Sequence, residues 1–301
     1  MRPEQVIGVD LGGTKILAGL VARDGTIGRT VEVPTPDSSQ EEVLAALDDV
    51  VSDLLNDGAA AIGYGVPLNI DGRTRVALRA INLPLREVDF AGRARDRFRL
   101  PAGVENDGNA AALAEWTFGA GRGTSDLVML TLGTGVGGGL VLGGRLYRGW
   151  AELGHLVVEA DGPPCQGNCD GRGHIEAVAS GLAADRAARE LYGAECDART
   201  LVQRGHAGEP GAVEALGRIG HLLGVAIGSL VNIFNPDTVV VGGGFGAAAG
   251  ELVLGPALRA ARREALAPAD ETLRIVAAEL GDEAGLIGAG LVAFEALDGE
   301  R

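Results

Sequence analysis

The chain has 301 residues, of which 46% are apolar and 22% charged, and a formal net charge of −15. That length supports two domains with cores of their own. The acidic balance excludes nucleic acid as a partner, because its phosphates require a basic surface. No stretch approaches the roughly 20 uninterrupted apolar residues of a membrane span, so no membrane partner is expected.

The opening residues, MRPEQVIGVD, lack the apolar run of a leader. Residues 6–11 form a short buried-strand pattern ending in Gly12-Gly13-Thr14-Lys15. A second apolar run, 16–21, follows at once, then a turn at Arg23-Asp24-Gly25-Thr26 and a third strand over 27–33. Ser39 is placed to cap an amphipathic helix to about Leu55, which Asn56-Asp57-Gly58 ends. Residues 60–66 read as another buried strand. The densest basic stretch, Arg93 to Arg99, reads as a solvated helix face. Asn106 and Asp107 stand at the entry to an alanine-rich helix. Capping alone accounts for Asp107; a carboxylate there can equally accept a proton from a hydroxyl attacking a phosphoryl group.

The opening pattern recurs farther on. Residues 127–132 read as a strand, Gly133-Thr134-Gly135 as a turn, 138–142 as a strand, Gly143-Gly144 as a turn and 145–147 as a strand. VDLGGTKILAGLV at 9–21 and LTLGTGVGGGLVL at 130–142 share a Leu-Gly-x turn between paired strands. Such a repeat suggests two similar lobes with a cleft between them. Helical patterns follow at about 176–192 and 210–233. Then come a strand at 238–241, a helix at about 251–266, a strand at 273–277 and a last helix at 284–297. Strands alternating with helices make this an α/β protein.

Three glycine-rich turns follow strands: Gly12-Gly13-Thr14, Gly133-Thr134-Gly135 and Gly242-Gly243-Gly244. Glycine lets backbone N–H groups converge on phosphate oxygens, and the hydroxyls of Thr14 and Thr134 add donors. Lys15 is the only lysine in the chain; phosphate contact and a plain surface role both suit it. Residues 133–138 and 242–247 formally match a dinucleotide fingerprint. The first is followed by a strand rather than a helix, and the second is not followed by a βαβ unit with an acidic residue about 20 positions on.

The chain has three cysteines and four histidines, and two of each fall within Glu152-Leu153-Gly154-His155, Cys165-Gln166-Gly167-Asn168-Cys169 and Gly173-His174-Ile175-Glu176. Two thiolates and two imidazoles, His155, Cys165, Cys169 and His174, make the usual closed ligand set of a structural Zn²⁺. Cys196 is then left over and cannot form an internal disulfide, so a reducing cytoplasm is the expected compartment.

Six segments occur in the order of the ROK family of bacterial sugar kinases and related repressors. They are Asp10 to Ile16, Glu105 to Ala112, Leu132 to Gly139, Glu152 to His155 with the Cys/His cluster, Val241 to Gly244, and Ala284 to Gly290. The resemblance runs nearly end to end. It implies a two-lobed actin/hexokinase-like (ribonuclease H-like) fold, with an N-terminal lobe over 1–108, a C-terminal lobe with the zinc loop over 109–283, and the helix of 284–301 returning to the N-terminal lobe. It implies phosphorylation of a hexose by ATP, with glucose the expected substrate. Fructose, mannose, N-acetylglucosamine and N-acetylmannosamine share most of the contacts. Asp107 would be the general base; Asn82, Asn106, Glu152, His155 and Glu176 would bind the sugar along with it. Gly12, Gly13, Thr14, Lys15, Gly133, Thr134 and Gly135 would hold the ATP phosphates, Gly243 and Gly244 would lie near the adenosine, and Asp10 would orient Mg²⁺ through water. A homodimer or homotetramer is implied.

Family repressors carry a DNA-reading helix-turn-helix before the first turn, for which a turn at residue 10 leaves no room. A non-catalytic sugar-binding protein is the remaining alternative. The sequence departs from the family in three places: His174 replaces a cysteine, the 148–152 loop looks shortened, and Leu68 stands where glycine is frequent.

Overall fold

A computed structural model describes residues 4–80, 83–167 and 169–299. The first elements are β1 (Gln5–Leu11), β2 (Lys15–Ala22), β3 (Ile27–Pro34), α1 (Gln40–Leu55), β4 (Ile62–Val66), β5 (Leu68–Ile70), β6 (Ala77–Ala80), β7 (Arg86–Val88), α2 (Phe90–Phe98), β8 (Ala102–Asn106) and α3 (Asp107–Thr117). Next come β9 (Leu127–Leu132), β10 (Val136–Leu142), β11 (Arg145–Leu146), α4 (Ile175–Val178), α5 (Gly181–Tyr192), α6 (Ala198–His206) and α7 (Pro210–Phe234). The chain closes with β12 (Thr238–Gly242), α8 (Gly244–Ala249), α9 (Glu251–Glu264), α10 (Ala269–Thr272), β13 (Ile275–Ala277) and α11 (Ala284–Gly299). Contacts divide it into a first unit of residues 1–114, 148–150 and 283–301 and a second of 115–147 and 151–282.

The first unit is built on a sheet in the order β3-β2-β1-β4-β8. β1 to β3 form an antiparallel meander, and β4 and β8 add in parallel. Side chains alternate across a strand. Ile7, Val9 and Leu11 accordingly join Val43, Leu47, Val51 and Leu54 of α1 in one core, whereas Val6 meets Leu286 and Phe294 of α11. Ser39 caps α1 by accepting the Glu42 N–H.

On the α11 side, Gly19, Gly8, Gly63 and Gly103 are cross-strand neighbours in one row over β2, β1, β4 and β8. A methyl group on Gly63 would lie 2.7 Å from Ala293 N, and one on Gly103 2.7 Å from Val292 Cγ1. The helix backbone therefore rests directly on the sheet. A small sheet, β5-β6-β7, occupies the stretch after β4, where no strand pattern stands out among the residues. Leu68, one of the departures from the family, is buried in β5.

The second unit repeats the plan, with a sheet in the order β11-β10-β9-β12-β13. Its hairpins are antiparallel, and β12 and β13 add in parallel. The helical pattern at 176–192 resolves into α4 and α5. Ser180 between them caps α5 by accepting the Ala183 N–H, so a short polar side chain restarts the helix. α7, at 25 residues, is long and apolar enough to cross a membrane. Its Leu216, Leu223, Ile227 and Leu230 are instead buried in the core of this unit. Its Gly220, Gly224 and Gly228, four apart and so on one face, let the backbone of α9 approach closely.

Candidate active site

In the first unit the candidate residues gather at the C-terminal ends of parallel strands, where open α/β sheets place their ligands. Asp10 pairs with Gly65, which pairs with Glu105, so β1, β4 and β8 end together. The Gly12–Lys15 turn closes by a Gly12 N–H to Lys15 O bond of 2.9 Å. Thr35 pins the turn twice: its N–H donates to Thr14 O at 3.0 Å and its hydroxyl to Gly12 O at 2.8 Å. Gly13 has open space above it. Lys15 Nζ pairs with Glu32 at 2.9 Å, with both side chains about half exposed. Such a pair is worth about 1 kcal/mol or less, so a phosphate can compete for the lysine.

Asn106, rather than Asp107, supplies the helix cap of α3. Its Oδ1 accepts the Asn109 N–H at 3.2 Å. Asp107 is the first helical residue and accepts the adjacent Gly108 N–H at 2.8 Å. Burial raises its pKa, against the hydrogen bonds from the Gly108 and Asp107 backbones and the Asn106 side chain. Burial also pushes Asp10 up to about 7, with Asp107 acting in the same sense and Lys15 opposing. Two half-buried carboxyls, both with raised pKa values and one raised further by the other, suit a base and a site that attracts a cation.

A group that sequence reasoning missed holds this corner. Glu105, fully buried, accepts the Asn106 N–H and Asn109 Nδ2 on one oxygen. On the other it accepts Arg75 Nη2 and Arg148 Nε, each at 2.9 Å. Arg75 adopts φ 57°, a left-handed conformation costing about 1–2 kcal/mol for a non-glycine residue, and also bonds the Val104 carbonyl. Arg148 pairs further with Glu295. The indole of Trp150 donates to Ile70 O at 3.2 Å, so residues 148–150 are tied to the first unit. An acid in the otherwise apolar strand Ala102 to Val104 was the available signal. Asn82 lies outside the described residues.

In the second unit the glycine-rich turns meet. Gly242 pairs with Thr131 in register, which brings the end of β12 beside the end of β9. Gly243, at φ 80°, sits so close to Leu132 that a methyl group would lie 2.7 Å from Leu132 C and N. Only glycine fits there, by both conformation and room. Gly244 then opens α8. In the other turn, Gly133 N–H donates to Gly135 O at 3.0 Å.

The Cys/His cluster is assembled by a loop that folds back on itself, with bridges between Val157 and His174 and between Pro164 and Arg172. Gly173, at φ 62° and pressed against the Glu159 backbone, makes the turn into His174. His155, at the end of a short 3₁₀ turn led by Glu152, joins from the other side. One ligand atom from each of His155, Cys165, Cys169 and His174 lies within 4.8 Å of all the others. Nδ1 of His155 is 3.2 Å from Nδ1 of His174. Cys165 Sγ is 3.8 Å from His155 Nδ1, and Cys169 Sγ is 3.6 Å from His174 Nδ1. Ligands at ordinary Zn–N and Zn–S lengths around a tetrahedron stand about 3.4 Å apart for N···N and about 3.6 Å for N···S. The four side chains fit that ion, and both imidazoles turn Nδ1 inward. The His174 ring fills the space over Gly171, where a methyl group would lie 2.6 Å from Nε2. Burial pushes the Cys165 thiol up to about 11, with Cys169 and Glu176 acting in the same sense and the Gln166 N–H opposing. Glu176 accepts the Val136 N–H at 3.1 Å and the Cys165 thiol at 3.6 Å.

Residues 6–296 match the family model described as ROK family. A glucokinase from Thermotoga maritima is 36% identical over 98% of this chain and 99% of that protein. An N-acetylmannosamine kinase from Escherichia coli O157:H7 is also 36% identical, over 95% and 97%. The crystal structure of a ROK family glucokinase from Streptomyces griseus, in complex with glucose and AMPPNP, superposes with a TM-score of 0.85 at 34% identity, covering 97% of this chain and 99% of that one. With two sheets of one topology, a Cys/His cluster of tetrahedral spacing and similarity along its whole length, the chain belongs to the ROK family.

Proposed function

We propose that the protein is an ATP-dependent glucokinase, converting glucose and MgATP to glucose 6-phosphate and ADP. The observation that carries the chemistry is Asp107. It is half-buried, desolvation raises its pKa, and Asn106 relieves it of capping, so its carboxylate is available as a base. The positive end of α3 favours the ionised form that a base needs. Asp107 takes the proton from the sugar's 6-hydroxyl as that oxygen bonds the γ-phosphorus, the bond from that phosphorus to the bridging oxygen breaks, and ADP leaves.

Asn106, Glu152, His155 and Glu176, together with Asn82, are assigned the sugar hydroxyls. Gly12, Gly13, Thr14, Lys15, Gly133, Thr134 and Gly135 are assigned the phosphates, and Gly243 and Gly244 the adenosine side. Asp10 is the residue suited to Mg²⁺, which when bound neutralises charge on the phosphates.

The reading extends to the cluster. His155, Cys165, Cys169 and His174 would hold a structural Zn²⁺, which fixes the loop and the ring of His155. With Nδ1 turned to the cluster, His155 keeps Nε2 for a sugar hydroxyl. The histidine that replaces the family's cysteine is thus read as a ligand in its own right. Free thiols at Cys165, Cys169 and Cys196 suit a reducing cytoplasm, and assembly as a homodimer or homotetramer is part of the same proposal.

Similarity to both glucokinases and N-acetylmannosamine kinases sets the choice of sugars to assay. ADP release from MgATP should be measured with glucose, mannose, fructose, N-acetylglucosamine and N-acetylmannosamine. The highest kcat/KM is expected on glucose. A preference for an N-acetylated sugar would reassign the substrate while keeping the chemistry.

A further inference from the structure

The Gly133–Gly135 turn is held by the segment that follows the last residue of the Cys/His cluster. Glu176 Oε2 accepts the Val136 N–H at 3.1 Å. The Gly181 N–H donates to Gly133 O at 2.8 Å and the Leu182 N–H to Thr134 O at 3.3 Å. At its other end the segment starts from the cluster, because His174 lies two residues before Glu176 and Glu176 Oε1 meets Cys165 Sγ at 3.6 Å. The fit is tight on both sides. A methyl group on Gly135 would lie 2.9 Å from both Glu176 Cδ and Gln166 Nε2, and one on Gly181 would lie 2.7 Å from Gly133 O.

We infer that Glu176 is a positioning residue for the nucleotide, the strut through which the metal-binding loop fixes the phosphate-holding turn. The inference rests on reading Gly133-Thr134-Gly135 as that turn. One carboxylate touches both a cluster thiol and the backbone N–H just past the turn, so the loop and the turn move as one body. A turn that offers N–H groups to phosphate loses affinity when those groups wander, because ordering them must then be met from binding energy. Metal in the loop therefore tightens nucleotide binding even where no sugar is present. A residue that only contacts sugar has no such effect.

The test is titration of AMPPNP with Mg²⁺ and no sugar, on Zn²⁺-loaded protein. Thermal melting and zinc content are measured in parallel. Glu176→Ala is expected to weaken AMPPNP binding roughly tenfold with zinc retained, and Glu176→Gln, which keeps an acceptor for the Val136 N–H, to stay within about threefold of wild type. Hydrogen exchange at Val136 is expected to quicken in Glu176→Ala, and in wild-type protein once a chelator has removed the zinc. Wild-type affinity in Glu176→Ala, or Val136 exchange in wild-type protein that is unchanged by chelation, would overturn the inference. Failure of wild-type protein to bind AMPPNP at all would strike the nucleotide reading instead, and the exchange measurement would still decide whether the brace exists.

Discussion

Gly285, in the first turn of α11, is held to glycine by the side chain of Asp10. A methyl group there would lie 2.6 Å from Asp10 Cγ and 2.9 Å from Oδ1, with Oδ2 nearer still. Carbon atoms in contact stand about 3.5–4.0 Å apart, so Gly285→Ala requires a retreat of about 1 Å. The group that yields is the end of a side chain, not backbone, so the fold absorbs the change and the carboxylate moves. A displacement of about 1 Å at a group proposed to orient Mg²⁺ for the reacting phosphates costs about a hundredfold in rate. We therefore expect kcat/KM for MgATP to fall about a hundredfold, with a raised Mg²⁺ requirement and a stability change below about 1 kcal/mol. The control is Gly72→Ala, where the added methyl meets nothing within 4 Å. ADP release at varied Mg²⁺, with a urea melt of each variant, makes the comparison. Gly285→Ala turning over within about twofold of wild type would show that the Asp10 carboxylate is not used as argued.

Other perturbations separate packing from chemistry. Gly63→Ala drives a methyl group into the α11 backbone, 2.7 Å from Ala293 N and 2.8 Å from Ala289 C; neither side can yield, and a loss of about 3 kcal/mol or more is expected in urea unfolding. Gly217→Ala, inside α7 with nothing within 4 Å of the new methyl, should stabilise by about 0.5–1 kcal/mol in the same assay. Because burial holds Asp10 up to about 7 and raises Asp107, and the proposed roles need both ionised, kcat/KM should climb with pH to about 7. Added Mg²⁺, which favours the Asp10 anion, should move that climb to lower pH. Stability from Asp10 runs the other way. Between its ordinary 3.8 and about 7 the folded chain keeps a proton that the unfolded chain has released, so the urea midpoint should fall as pH rises through that window.

Much of the architecture was legible because it is local. The meander over residues 6–33 follows from short apolar runs punctuated by Gly-Gly-Thr and Asp-Gly, and its echo at 127–146 announced the second sheet. The Cys/His ligands were legible because scarce residue types were crowded together. What depends on partners distant in sequence was not. The row Gly19–Gly8–Gly63–Gly103 exists only once four strands are in register, and nothing in any one strand shows that a helix near residue 290 will rest on it. Arg75 and Arg148 meet Glu105 from 30 and 43 residues away. Asp107 looked like the cap because it heads the helix, yet Asn106 Oδ1 reaches the Asn109 N–H. β5 to β7 are three or four residues long, too short for alternation to stand out.

In the proposed reaction Asp107 removes a proton from the sugar hydroxyl as it attacks the γ-phosphorus. Asp107→Asn keeps an oxygen for the Gly108 N–H and removes the base, so it should still bind glucose by calorimetry with near wild-type affinity. Its glucose-dependent ADP release from MgATP should fall by roughly a thousandfold. Turnover within about tenfold of wild type, or a wild-type protein that releases no ADP with any of the five sugars, would contradict the account.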